Sequence, residues 1–145
     1  MEKFVSVTNP KVIENLKLQI SNSRIIDWAS DFNKDAGISY NKLAYILDYW
    51  KNKFSWEKSE KELNSFNQFY FIDEGIKTHF LHIKSPKKNA LPLLLIHGWP
   101  GSIFEFFDLI PLLTNPKDHN LLGCQPFDIV TVSYTHLRAH ETNLD

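Results

Sequence analysis

Polar and apolar residues change their spacing several times along this chain, and each change marks an element. Asn9 and Pro10 have the chemistry of a helix start, a capping side chain followed by a proline suited to the first turn. Val12, Ile13, Leu16 and Ile20 then recur at helical spacing, and Ser21, Asn22 and Ser23 end the run. Arg24 to Gly37 has no clean period and reads as a connecting segment in which Trp28 and Phe32 are expected to pack. Ser39 predicts the cap of a second helix, with Leu43, Ile46, Leu47 and Trp50 as its apolar stripe. Ser55 predicts a third through Trp56, Glu60 and Leu63, broken by Asn64 and Asn67. No reactive constellation is visible in this stretch, and its aromatics read as packing.

From Phe69 the period changes. Phe69 to Ile72 and Ile76 to Ile83 are β-rich runs joined by Asp73, Glu74 and Gly75, the pattern of a hairpin with glycine supplying positive φ. Ser85 to Asn89 is a polar loop in which Lys87 and Lys88 read as solvated. Leu91 to Ile96 is continuously apolar, which predicts a strand buried on both faces of a parallel or mixed sheet. His97-Gly98-Trp99-Pro100-Gly101 follows, and Ser102 with Glu105 has the spacing of a capping box opening a helix. Ile103, Phe106, Phe107 and Ile110 form that helix's stripe, and Phe127 to Val132 reads as one more strand. Helices first, then strand, turn, helix and strand, is the front of an open α/β sheet behind a helical extension.

Composition narrows the picture. With 43% hydrophobic and 23% charged residues, the 145-residue chain is globular rather than disordered. A formal charge of -1 argues against nucleic acid or an anionic membrane surface as partner. The single cysteine, Cys124, excludes an intrachain disulfide and reads as an inert small hydrophobe. The start of the chain lacks the apolar run of a signal peptide, and its longest apolar stretch is strand-sized. A cytoplasmic protein with no membrane span is expected, with no cofactor and no metal.

The chemistry concentrates at His97 to Gly101. A sharp turn from a strand into a capped helix presents backbone N–H groups at the carboxyl edge of the sheet, where ligands bind in open α/β folds. In α/β-hydrolases the loop after an early strand gives one of the two donors of the oxyanion hole. Gly98 and Gly101 allow the bend, and Pro100 is a candidate for a cis peptide.

His97-Gly98-Trp99-Pro100-Gly101-Ser102, followed by Glu105 and Phe106, resembles the motif of microsomal-type epoxide hydrolases, juvenile hormone epoxide hydrolases among them. Asp48-Tyr49-Trp50, Trp56, Glu60, Leu63-Asn64, Phe69, the Gly75 hairpin, His79-Phe80, His82, Ser85-Pro86 and Ala90 to Leu93 are similar to that family's N-terminal region. The resemblance covers roughly residues 8 to 132. It implies an α/β-hydrolase fold behind a helical N-terminal extension, divided as residues 1–67 and 68–132. It also implies a small-molecule epoxide substrate. In that family a carboxylate opens the epoxide to an ester, a His–acid pair activates the water that hydrolyses it, and lid tyrosines polarise the epoxide oxygen. Of this machinery the matched motif carries over only Trp99, as an oxyanion-hole N–H donor, with His97, Gly98, Pro100 and Gly101 shaping its loop.

Other candidates are weaker. His79 and His82 lie three apart on a strand and point to opposite faces, so they cannot share a metal. His119 lies in a polar loop, and His97 reads as a loop organiser rather than a general base. A nucleophile elbow needs Gly-x-nucleophile-x-Gly, and no two of Gly37, Gly75, Gly98, Gly101 and Gly123 are four apart. Asp128 has no such context, so no nucleophile can be named. After Val132 the chain departs from the family's Pro- and Gly-rich continuation, and residues 133–145 read as a frameshift or read-through tail, with a real, divergent terminus as the alternative. His136 and His140 have helical spacing but no third ligand. The expectation is the front of an epoxide hydrolase, inactive alone. The alternative is a non-catalytic binding or assembly module derived from one. A parent esterase or dehalogenase is disfavoured by the N-terminal matches.

Overall fold

The computed structural model describes residues 2–25 and 37–133. Trp28 and Phe32 lie outside them, as do Tyr134 onward with His136 and His140. The chain divides into two compact units, one from Val7 to Lys61 and one built from residues up to Ser6 together with Glu62 onward.

The first unit is helical. Helix α1 spans Pro10–Asn22, with the Asn9 side chain accepting from Lys11 N, and α2 spans Tyr40–Asn52, with Ser39 accepting from Lys42 N. Helix α3 spans Trp56–Leu63 and starts where Lys58 N donates to Ser55 Oγ at 3.3 Å. The three caps fall where the side-chain oxygens of Asn9, Ser39 and Ser55 can take up N–H groups that have no partner within a helix. The expected apolar stripes are less enclosed than their spacing suggests. No residue of the three helices is buried, and Ile46 and Trp50 are exposed. Polar contacts tie this unit together as well: Thr8 N and Thr8 Oγ1 both donate to Glu60 Oε1, at 2.7 and 2.6 Å, and Trp56 Nε1 donates to Thr8 Oγ1 at 2.7 Å.

The second unit is a five-stranded sheet in the order β1-β2-β3-β5-β4, with β1 Glu2–Phe4, β2 Gln68–Asp73, β3 Ile76–Ile83, β4 Leu91–Leu95 and β5 Phe127–Val132. The first four strands in that order pair antiparallel, and β4 joins β5 in parallel. The β2–β3 hairpin turns through Glu74 and Gly75, both at positive φ (47° and 79°), the pairing that matches the twist of a two-residue hairpin. Strand β1 has no sequence signature of its own. Three residues become a strand only because Lys3 and its neighbours pair with Phe69 and its neighbours.

Leu81, Ile103, Phe107, Ile110 and Ile129 form the core on one face of the sheet, with Leu95, Phe106 and Leu113 packed against them. Two expectations need correction here. The Leu91 to Ile96 run is not buried on both faces: β4 is the edge strand, Leu93 and Leu95 are half-buried, and Leu94 and Ile96 are exposed. Its continuous apolar run therefore meets a covered face on one side only. The helix after Ser102 is not continuous either. A 3-10 turn, Ile103–Phe106, is followed by a separate short helix α4, Leu109–Thr114. Pro111 explains the break: inside one long helix it would lose the bond to the Phe107 carbonyl and clash with it. Restarting at Leu109 places it in the first turn, where an N–H has no helical partner anyway.

Candidate functional site

The strand β4 ends at Leu95, and the next residues turn back at once. Gly101 N donates to Gly98 O at 2.7 Å, closing a four-residue turn whose third residue, Pro100, follows a cis peptide bond. His97 is buried, and its Nδ1 lies 3.2 Å from the same Gly98 oxygen. A carbonyl oxygen only accepts, so this contact places the proton on Nδ1. Trp99, at the tip, is 77% exposed. Among the described residues its backbone N–H donates to no protein acceptor.

The capping box after the turn is formed in full. Ser102 Oγ accepts from Phe104 N at 3.3 Å, and Glu105 Oε1 accepts from Ser102 N at 3.1 Å. Glu105 also explains Gly101. A Cβ on Gly101 would lie 1.8 Å from Glu105 Oε1 and 2.8 Å from Gly98 O, so the carboxylate occupies the space a side chain there would need. The turn, its cap and the short 3-10 helix thus form one locally bonded piece. Ile103, one residue past the cap, is buried in the core and anchors the piece to the sheet.

The remaining candidates take structural places. His79 and His82 do lie on opposite faces of β3. His79 Nε2 is 3.0 Å from Gln68 Oε1, with Phe4 and Tyr70 edge-on to its ring, and burial holds its pKa below the usual histidine value. His82 packs against Phe69. Asp128 accepts from Ser85 N at 2.8 Å and so ties the loop before β4 to the start of β5. Lys87, Lys88 and His119 are exposed, and so is Cys124. Among the described residues no group of His, Cys, Asp and Glu could hold a metal ion, and no helix is long and apolar enough to cross a membrane. A groove of about 640 Å³ lies within the helical unit, lined by Ile13, Leu16, Ile20, Trp50, Phe54 and Trp56, and includes no residue of the turn.

What spacing alone could not show is the convergence on Gly98. Its carbonyl receives hydrogen bonds from both sides, from His97 Nδ1 and from Gly101 N. The residue types were visible in the sequence, but their meeting at one oxygen depends on the turn.

A mixed sheet with a parallel β4–β5 pair and a glycine-rich turn from β4 into a capped 3-10 helix is the front of an α/β-hydrolase. Residues 1–106 match the family model described as "Epoxide hydrolase N terminus", and the chain belongs to the epoxide hydrolase family. It is 37% identical over 134 residues to "Epoxide hydrolase 1" of Sus scrofa, a match covering 90% of this chain and 30% of the pig protein. It is 38% identical over 112 residues to "Juvenile hormone epoxide hydrolase 1" of Ctenocephalides felis, covering 75% of this chain and 24% of the flea protein. Among solved structures, Aspergillus niger epoxide hydrolase superposes with a TM-score of 0.76 at 30% identity, over 91% of this chain and 34% of that one. The chain therefore spans about a third or less of the relatives it matches.

Proposed function

We propose that this chain forms the N-terminal helices and first strands of an enzyme that hydrolyses epoxides to vicinal diols, and that Trp99 supplies a backbone donor to its oxyanion hole. In the reaction a carboxylate oxygen attacks an epoxide carbon, the ring C–O bond breaks, and the freed oxygen takes a proton from a tyrosine hydroxyl. Water, losing its proton to a histidine, then adds to the ester carbonyl. The resulting oxyanion collapses, the ester C–O bond breaks, the departing alkoxide takes the proton held by the histidine, and the acid formed returns its proton to the tyrosine as the carboxylate is restored. None of the 145 residues sits in a nucleophile elbow, so the carboxylate, the histidine and the tyrosines are assigned to no residue here.

The observation that carries the reading is the exposed Trp99 tip, whose N–H has no protein acceptor among the described residues and lies four residues past the end of β4. Such a donor acts on charge that develops at the ester oxygen during hydrolysis, not on ring opening. A cytoplasmic setting belongs to the same proposal and is supported by a single cysteine, which allows no intrachain disulfide.

Single-turnover kinetics on the full-length enzyme carrying these residues separates ester formation from ester decay. Trp99→Phe keeps the N–H and most of the ring, and decay should change little. Trp99→Pro removes the donor, and decay should slow by ~100-fold or more, the size found for losing one oxyanion donor. A folded Trp99→Pro enzyme that clears its ester at the parent rate would reduce Trp99 to a turn residue.

A further inference from the structure

A trans peptide is planar, with its C=O and N–H pointing in opposite directions. The Gly98 oxygen and the Trp99 N–H belong to one such peptide, so whatever holds the oxygen also sets the direction of the N–H. Two groups hold it: Gly101 N at 2.7 Å and His97 Nδ1 at 3.2 Å. The first is backbone and closes the turn. The second is a side chain only 3% exposed, whereas the Trp99 residue it steers is 77% exposed.

We propose that His97 is a positioning residue that aims the Trp99 N–H by hydrogen-bonding the oxygen of the same peptide. The inference rests on the reading of Trp99 as an oxyanion donor. It gives His97 a task distinct from acid–base chemistry: its Nδ1–H points to a backbone carbonyl and exchanges no proton with substrate. Two consequences follow. Without that bond the peptide has one restraint fewer and can rock about the Cα98–Cα99 axis, and a donor off its line by a fraction of a bond length loses rate steeply. Hydrogen bonds to the oxygen also polarise the peptide and strengthen its N–H as a donor. Gly101 N cannot replace His97, because a single bond to the oxygen leaves that rotation less restrained. The Glu105 carboxylate lies against Gly101 and braces the turn through its bond to Ser102 N.

Asparagine and glutamine separate this role from simple core filling. The Asn side-chain nitrogen sits at the same bond count from the backbone as His Nδ1, and the Gln nitrogen sits at that of Nε2. In the full-length enzyme, with an aryl epoxide in single turnover, His97→Asn should clear the ester within about 3-fold of the parent, whereas His97→Gln should slow decay by ~10-fold or more, as a misaimed donor would. Ester formation should be the same in the two variants. Equal decay in both, or a loss shared equally by formation and decay, overturns the proposal. Trp99→Pro in the same series keeps the two readings apart. If it decays normally, the donor assignment falls; if it is slow while the Asn and Gln variants match, only the His97 role falls. A further measurement needs no variant: ring ¹⁵N shifts of His97 in the parent above pH ~8, where an unperturbed imidazole is neutral, should show the proton on Nδ1. The Nε2–H tautomer would overturn the proposal whatever the variants do.

Discussion

Between Val7 and Lys61, three capped helices hold no buried residue, and Tyr45, Tyr49, Trp50 and Trp56 are exposed. In the other unit Leu81, Ile110 and Ile129 are almost fully enclosed, and three residues at the start of the chain pair with a strand more than sixty positions later. The difference lies in where each unit's order comes from. The helices are specified within a few residues, by a cap oxygen and an apolar repeat, and gain little from burial. The sheet is specified by pairings distant in sequence, and most of its buried core lies on one face.

If that contrast is right, the largest effect comes from the covered face. Ile129 pairs with both Ile83 and Leu93 and lies at the centre of the core. Ile129→Ala should cost ~2–5 kcal/mol by urea denaturation, from lost burial plus the cavity left behind. A loss under about 1 kcal/mol would mean the core collapses around the gap more readily than tight packing allows.

A smaller effect is expected where the turn meets its cap. Gly101→Ala should cost ~1–3 kcal/mol, because the new methyl must expel Glu105 from the capping box and press on Gly98 O. Glu105→Ala in the same chain should recover part of this but not all, since the contact at 2.8 Å with Gly98 O remains. A double-mutant cycle measures the coupling, and strict additivity would show that the carboxylate does not occupy that space in solution.

Smaller again is the loss of a helix cap. Asn9→Ala removes the acceptor for Lys11 N and should cost ~1 kcal/mol. The loss should appear in helical circular dichroism and in amide exchange of α1, and leave exchange from β3 and β5 unchanged. Equal deprotection of the strands would show that the two units unfold together and would break the comparison.

The same contrast decides what could be read from the chain alone. The caps at Asn9, Ser39 and Ser55, the Gly75 hairpin and the Ser102–Glu105 box were legible because each is a local rule in which two or three residues suffice. Strand β5 was legible from its β-branched run. Strand β1 was not, because Glu2, Lys3 and Phe4 carry no pattern and become a strand by pairing with residues far along the chain. The burial of β4 on one face only was not legible, because an apolar run reports what a strand can bury, not what covers each of its faces. At the site, the glycines and Pro100 announced a turn. That the buried His97 and the turn's own N–H meet at one oxygen was invisible, because spacing does not give the direction of a carbonyl.

The smallest effect, and the one most selective for a single unit, is a response to pH. Val7 to Lys61 contains no histidine, whereas the sheet unit buries His79 on its covered face beside Phe4, Gln68 and Tyr70. Charged groups border this cluster on both neighbouring strands: the Lys77 ammonium lies 3.9 Å from the centre of the Tyr70 ring, and Glu2 pairs opposite Tyr70 in the sheet. Burial disfavours the imidazolium, so the folded-state pKa is lowered, while the unfolded chain titrates near the ordinary value of about 6.5. The unfolded state therefore binds the proton first as pH falls. The contribution of neutral His79 to stability is fully present above about pH 6.5 and is lost as pH drops from there through the lower folded-state value. The network that would feel the loss runs from His79 through Gln68 to Asn64, where Gln68 Nε2 donates to Asn64 Oδ1 at 2.6 Å and Asn64 Nδ2 donates to Ser6 O at 2.8 Å. Acidification should thus loosen the β1 edge first, read as faster amide exchange at Phe69 and its neighbours between pH 6.5 and 5 than base-catalysed exchange alone predicts. His79→Gln, which cannot be protonated in this range, should remove that part of the pH dependence and leave α1 and α2 unaffected. If the β1 edge loosens equally in that variant, the acid response belongs to other groups, and the buried histidine is only a packing residue.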